Sequence, residues 1–64
     1  MKFNGKIISL KDNTLLTDFL KNNNYEIPKI AVELNGKIIP KTQFENTAVC
    51  DCDTIEVVSF VGGG

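Results

Sequence analysis

Two Asn-Gly pairs limit the folds open to this chain more than any other feature of its sequence. Asn4-Gly5 and Asn35-Gly36 each lie between short apolar runs, and an Asn-Gly pair in that setting is the strongest short-range signal for a tight β-hairpin. The predicted strands on either side of the two pairs are residues 1–4, 6–10, 30–35 and 37–40. The chain therefore contains two predicted hairpins, separated by a segment of different character.

The segment between the hairpins has the pattern of an amphipathic helix. Thr14 is the predicted N-cap, because a threonine hydroxyl can accept a hydrogen bond from a free backbone N–H of the first turn. The asparagines at 22–24 are predicted to end the helix. The predicted apolar face consists of Leu15, Leu16, Phe19 and Leu20. Such a face is typical of a helix that packs on a sheet.

The last third of the chain ends in its most β-prone run, residues 54–61. Before this run, residues 41–46 form a polar connection anchored by Phe44, residues 47–50 are extended or looped, and residues 51–53 read as a turn. The order ββαββ, connection, β predicts an α+β fold of the β-grasp type. We expect a mixed sheet of four or five strands with one main helix on one face, a single domain over residues 1–61 and a flexible tail over residues 62–64.

Length and charge exclude several functional classes. A chain of 64 residues buries only about 60% of the surface that its unfolded form exposes, which leaves no room for a deep substrate cavity and argues against an enzyme. The net charge is -1, with dispersed lysines and no arginine or histidine, so nucleic acid is not an expected partner. No apolar run approaches the ~20 residues of a membrane span, and residues 1–5 have neither the apolar stretch nor the small-residue cleavage site of a signal peptide. We expect a soluble, cytoplasmic protein that is monomeric when free.

Cys50 and Cys52 are predicted to be reduced thiols, with Cys50 in the core and Cys52 in a turn. A disulfide between cysteines two positions apart closes a short, strained ring, and a structural zinc site would need two further ligands. The alternative is a reactive or redox-sensing thiol, but Asp51 and Asp53 disfavour the thiolate that it would need. We therefore expect no metal and no bound cofactor.

The glycines at 62–64 are the strongest functional signal. Without side chains, such a tail can pass through a narrow channel of a partner that grips only its backbone. The carboxylate of Gly64 is a poor acyl donor, but ATP can convert it to a mixed anhydride with AMP, which a sulfur nucleophile then displaces to give a thiocarboxylate. The ATP and Mg²⁺ for that step belong to the partner enzyme. The alternative is a frayed terminus without function.

Strand alternation also predicts a docking surface. If Ile55 and Val57 face the helix, Val58 and Phe60 lie on the uncovered face of the sheet just before the tail, followed by Val61. Exposed apolar residues beside a functional tail indicate a partner surface. The alternative is that they contact a loop or are merely scattered on the surface.

The whole chain resembles the ThiS-type sulfur carriers of thiamine (thiazole) biosynthesis, which are ubiquitin-like β-grasp proteins. No single motif is specific, but their combination at this length is. The matching segments are the hairpin at Asn4-Gly5, the helical run 14–20, the hairpin run 30–36, Ile39-Pro40, Phe44, the run 51–58 and the closing Phe60-Val61-Gly62-Gly63-Gly64.

The resemblance implies a sequence of partners. An E1-like, ThiF-type enzyme would adenylate Gly64, sulfur derived from cysteine by a desulfurase would replace the adenylate, and a ThiG-type thiazole synthase would take the sulfur. Gly63 matches the glycine pair of the family, and Gly62 an extra glycine found in part of it. Similar chains often have glycine where this one has Cys52, which makes a role for that thiol doubtful.

Three other interpretations stay open. A MoaD-like carrier for molybdopterin would share the fold, tail and chemistry, although such chains tend to be longer. A ubiquitin-like modifier would join the same activated carboxylate to lysine side chains of target proteins. A plain β-grasp interaction module would carry its terminal glycines incidentally.

Overall fold

The computed structural model describes residues 1–60. Val61 and the glycines at 62–64, and with them the predicted tail and the last residue of the predicted domain, lie outside the described residues. The strands are β1 Lys2–Phe3, β2 Lys6–Ile7, β3 Thr14–Leu15, β4 Ile30–Leu34, β5 Lys37–Ile38, β6 Ala48–Val49 and β7 Thr54–Ser59, and the helix is α1 Leu16–Asn22. Five strands form the main sheet in the order β2-β1-β7-β4-β5, and β3 pairs with β6.

Both predicted hairpins are confirmed. Asn4 and Gly5 have φ values of 48° and 83°, and Asn35 and Gly36 have 52° and 85°; two consecutive residues of positive φ are what a type I′ turn requires. β1 pairs antiparallel with β2, and β4 with β5. The strands β2 and β5, which form the two edges of the sheet, are shorter than predicted.

The predicted central strand is also confirmed. β7 lies between β1, to which it is parallel, and β4, to which it is antiparallel, so the sheet is mixed. The two turn asparagines also bind β7: Asn4 Oδ1 accepts the Val57 N–H at 2.7 Å, and Asn35 Oδ1 accepts the Thr54 N–H at 2.9 Å. Each hairpin is therefore tied to the central strand through its own turn.

The predicted start of the helix is wrong. Thr14 is not the N-cap; it lies in β3 opposite Val49, and its hydroxyl donates to the Asp12 carbonyl at 3.1 Å. Leu15 is the N-cap residue, makes no side-chain cap and is 44% exposed. Pairing with β6 holds both residues extended, so the helical apolar face is reduced to Leu16, Phe19 and Leu20.

The core lies between the helix and one face of the sheet. Phe44, the predicted anchor, is 1% exposed and belongs to a 3-10 helix, Lys41–Asn46. The rings of Phe3 and Phe19 meet edge to face with centroids 5.2 Å apart, which joins β1 to α1. Among residues 1–60, no helix combines the length and apolar character needed to cross a bilayer. The buried apolar residues are Met1, Leu16, Phe19, Leu20, Ile30, Val32, Phe44, Val49, Ile55 and Val57.

The prediction of two reduced cysteines is wrong, because Cys50 and Cys52 form a disulfide. Cys50 is half-buried rather than a core residue, and Cys52 is exposed in the turn, as predicted. The reason is the turn itself. The Asp53 N–H donates to the Cys50 carbonyl at 3.0 Å, and the Cα atoms of the two cysteines are 5.4 Å apart, within the usual range for a disulfide.

Asp51, inside the same turn, connects three parts of the chain. Its Oδ1 accepts the Leu10 N–H at 2.9 Å and the N-terminal ammonium of Met1 at 3.0 Å. These two contacts hold the pKa of the Asp51 carboxyl below its ordinary value. Ionised Asp51 therefore stabilises the fold above that ordinary value, and the stabilisation is lost as the pH falls through the lowered pKa.

We expect Asp51→Asn to lower the melting temperature at neutral pH and to flatten its acid dependence. The difference between wild type and variant should begin to shrink below about pH 4, where free carboxylates become protonated, and should vanish only below the lowered pKa of Asp51. Thermal unfolding followed by circular dichroism between pH 7 and pH 2 measures this, with Asp12→Asn as the control, because the Asp12 carboxylate makes no hydrogen bond or salt bridge within residues 1–60. A constant difference between wild type and Asp51→Asn across this range would contradict the assignment.

Candidate functional site

The face of the sheet that does not contact the helix is open. Along β7, Ile55 and Val57 are buried towards the helix, whereas Glu56 and Val58 are exposed. Val58 is 61% exposed and Phe60 54%, as the alternation predicts. The exposed apolar positions just before the tail therefore lie where the sequence analysis puts them.

The register between strands brings further residues beside Val58. Ala31 on β4 lies opposite Val58, and Glu33 lies opposite both Glu56 on β7 and Ile38 on β5. Ile38 is 74% exposed. These side chains border a shallow depression of about 280 Å³. We name Ala31, Glu33, Ile38, Glu56 and Val58 the open-face patch.

The patch contains an acidic pair. Glu33 and Glu56 face each other across β4 and β7, both are exposed, and neither forms a salt bridge within residues 1–60. Like charges directly opposite on antiparallel strands destabilise a sheet. The pair is therefore a like-charge contact on the exposed face of the sheet, without a cationic partner among residues 1–60.

Sequence reasoning missed Glu33, Ile38 and Glu56 as members of the patch. Each is an ordinary surface residue of a strand when the strands are considered one at a time. The signal that could have found them is the pairing of β4 with β7, because it decides which residues are neighbours on the open face.

Phe60 is the last described residue before the tail. Its N–H donates to the Lys29 carbonyl at 2.7 Å, which extends the β4–β7 pairing past the end of β7. Lys41 Nζ lies 5.5 Å from the centre of the Phe60 ring and donates to the Pro28 carbonyl at 2.9 Å. The position of Phe60 is therefore fixed by backbone and side-chain contacts. The other predicted site residues, Val61 and the glycines at 62–64, lie outside the described residues.

The described residues bring together one group of potential metal ligands, Cys50, Cys52 and Asp53. The two sulfur atoms are bonded to each other. The Asp53 carboxylate accepts hydrogen bonds from Asn35 Nδ2 at 3.0 Å and from the Cys50 N–H at 2.9 Å. In this state the group stabilises the turn rather than offering free ligands.

Comparison with known proteins identifies relatives over the full chain. Residues 1–64 match the ThiS family. The sulfur carrier protein ThiS of Bacillus subtilis is 38% identical over 65 residues, which cover 100% of this chain and 98% of that protein. A thiazole synthase of Paramagnetospirillum magneticum is 50% identical over 36 residues, which are 56% of this chain but 11% of the synthase.

Solved structures agree with the fold. The crystal structure of a thiamine biosynthesis protein, ThiS, from Geobacter metallireducens superimposes with a TM-score of 0.82 at 30% identity, covering 98% of this chain and 96% of that one. A solution structure of a thiamine biosynthesis protein from the same organism gives a TM-score of 0.78 at 29% identity. The predicted β-grasp fold is confirmed.

Proposed function

The chain belongs to the ThiS family, and from this premise we propose that it carries sulfur as a thiocarboxylate on the terminal carboxyl group of Gly64. It is a sulfur carrier protein of thiamine biosynthesis, and not itself an enzyme. The domain, residues 1–61, supplies recognition. The tail, residues 62–64, supplies the reacting group.

The chemistry follows from the carboxylate. An oxygen of the Gly64 carboxylate attacks the α-phosphorus of ATP, pyrophosphate leaves, and the acyl-adenylate forms. The terminal sulfur of a persulfide then attacks the acyl carbon, and AMP leaves with the bonding electrons. A thiol of the partner or of a small-molecule reductant attacks the outer sulfur of the resulting acyl disulfide, which leaves the thiocarboxylate on Gly64 and a new disulfide on the attacking thiol. ATP and Mg²⁺ are used by an E1-like, ThiF-type partner. Gly62 and Gly63 let the backbone enter a narrow channel, because they have no side chains to collide with its walls.

The partner docks on the open-face patch together with Phe60 and Val61. Val58 and Ile38 provide apolar area, and the acidic pair favours a basic group on the partner. A ThiG-type thiazole synthase is the acceptor of the sulfur, and the 36-residue similarity between this chain and a segment of a thiazole synthase supports that pairing. The sulfur donor is cysteine-derived, through a desulfurase, and the site of action is the cytoplasm.

The position of Phe60 carries this proposal. Phe60 lies at the end of the central strand, 54% exposed, and it follows Val58 of the patch by two residues. A partner bound to the patch therefore receives the tail at the edge of its own interface. Val58 and Phe60 are two residues apart on the same side of the strand alternation, which supports a docking surface that ends next to the tail.

Intact mass spectrometry of the protein with a free C-terminus tests the proposal. After incubation with Mg-ATP, a ThiF-type enzyme, a persulfide donor and a thiol reductant, we expect a mass gain at Gly64 equal to replacement of one oxygen by sulfur, localised by fragmentation. Transfer to a thiazole synthase, rather than to a molybdopterin precursor, separates ThiG-type from MoaD-like use. Isopeptide-linked adducts would instead indicate a protein modifier, and an unchanged mass with an active partner would overturn the proposal.

The acidic pair gives a prediction in which stability and binding change in opposite directions. Glu33→Lys replaces a repulsive cross-strand pair with an attractive one, so we expect a gain in the free energy of unfolding of about 0.2–1 kcal/mol. The same change places a positive charge against the partner's basic group, so we expect weaker binding. Urea denaturation and a titration with the ThiF-type enzyme measure the two effects. Greater stability with unchanged affinity would remove the pair from the docking surface.

A further inference from the structure

The Cys50–Cys52 disulfide lies in the turn between β6 and β7, at the surface of the molecule. Its two cysteines differ in exposure: Cys52 is exposed, whereas Cys50 is half-buried. An external thiol therefore reaches the sulfur of Cys52 more readily than that of Cys50. Exposed disulfides are the labile ones, and structural disulfides are normally protected.

The turn does not depend on this disulfide. The Asp53 N–H donates to the Cys50 carbonyl at 3.0 Å, the Cys50 N–H donates to Asp53 Oδ2 at 2.9 Å, and Asp51 accepts the Leu10 N–H at 2.9 Å. Two of these hydrogen bonds join Cys50 to Asp53 and the third joins Asp51 to Leu10, so none of them needs the bond between the two sulfur atoms. A disulfide that encloses a single residue also removes little entropy from the unfolded chain, since that effect grows with loop length.

We propose that Cys50 and Cys52 form a reversible thiol–disulfide exchange site for small thiols of the glutathione class, attacked at Cys52. A thiolate of the small molecule attacks Cys52 Sγ, the bond between the cysteines breaks, and Cys50 leaves as a thiolate that takes up a proton. A second thiol attacks the mixed disulfide, a small-molecule disulfide leaves, and Cys52 becomes a thiol. Two electrons pass from two small thiols to the protein.

This site is remote from the tail. β7 has 6 residues and at about 3.3 Å per residue spans about 20 Å, with the cysteines before its first residue and Phe60 after its last. The exchange site and Phe60, from which the chain continues towards Gly64, therefore lie at opposite ends of the central strand. The exchange at Cys52 uses none of the groups of the sulfur-carrying function proposed above.

The test uses the full chain in glutathione buffers of different reduced-to-oxidised ratio, followed by acid quenching, alkylation and intact mass measurement. We expect the fraction with two alkyl groups to rise with the reduced share and to fall again when oxidised glutathione is added, with circular dichroism unchanged throughout. Persistence of the disulfide in excess reduced glutathione until denaturant is added would overturn the proposal.

Two single variants test which sulfur is attacked. With oxidised glutathione, Cys50→Ser, which keeps the exposed cysteine, should form the mixed disulfide at least severalfold faster than Cys52→Ser, which keeps the half-buried one. Equal rates, or faster reaction of Cys52→Ser, would contradict the greater accessibility of Cys52 on which attack at that sulfur depends. Sulfur loading of Gly64 should proceed at the same rate in both variants, so failure of the tail chemistry would be recognised separately.

Discussion

A chain with one alanine added after Gly64 should gain no sulfur at all, although it folds as the wild type does. The addition converts the Gly64 carboxylate into an amide, which cannot attack ATP, and it places a methyl side chain at the narrow end of the tail. Deletion of Gly63 and Gly64 should have the same effect, because the new terminus at Gly62 is two residues short of the reacting position. Intact mass after incubation with the ThiF-type enzyme measures both.

The control for this prediction is stability. The buried residues that the structure describes all precede the tail, so both altered chains should melt at the temperature of the wild type. A normal melting temperature with no mass gain is the expected combination. If the chain extended by alanine still supports thiazole formation, the terminal carboxyl of Gly64 is not the carrier.

Val58→Asp should weaken binding to the activating enzyme by on the order of 2 kcal/mol, a typical loss at an interface hot spot and roughly a 30-fold rise in Kd. The carboxylate would be desolvated in the apolar part of the interface, beside Glu33 and Glu56, which already carry negative charge. Because Val58 is 61% exposed, the free energy of unfolding of the Val58→Asp variant should differ little from that of the wild type. Phe60→Asp should also weaken binding, because Phe60 lies just before the tail.

Ile7→Asp is the matched control. Ile7 is 80% exposed and receives the same new charge, but it lies on β2, separated from β7 by β1. Titration calorimetry with the ThiF-type enzyme should give a wild-type Kd for Ile7→Asp and a raised one for Val58→Asp. Equal affinities for wild type and Val58→Asp would show that the partner binds elsewhere.

The parts of the fold that local chemistry determines were predictable from the sequence. Asn4-Gly5 and Asn35-Gly36 accept the positive φ values that a tight hairpin turn requires, which few other residue pairs do. The composition of β7 suits a central strand. The start of the helix was not predictable in this way. Thr14 has the local chemistry of an N-cap, but its pairing with Val49 on β6 overrides that preference, and the pairing joins residues far apart in sequence.

The residues of the candidate site also differ in whether local sequence patterns could predict them. Val58 and Phe60 follow from alternation within one strand, which needs no knowledge of other strands. Glu33, Ile38 and Glu56 become neighbours only through the registers of β4 with β7 and β5, which short-range patterns do not contain. The disulfide was missed because the general geometry of a Cys-x-Cys pair disfavours it, whereas this turn brings the two cysteines within range.

The central position of β7 makes partner binding depend on folding. The open-face patch is composed of residues from β4, β5 and β7, so it is complete only when the last strand in the sequence lies between the two hairpins. A partner that binds the patch therefore recognises only the folded domain. An unfolded or partly folded chain has the terminal glycines but lacks this surface. The partner would not bind such a chain, and no ATP would be consumed on it.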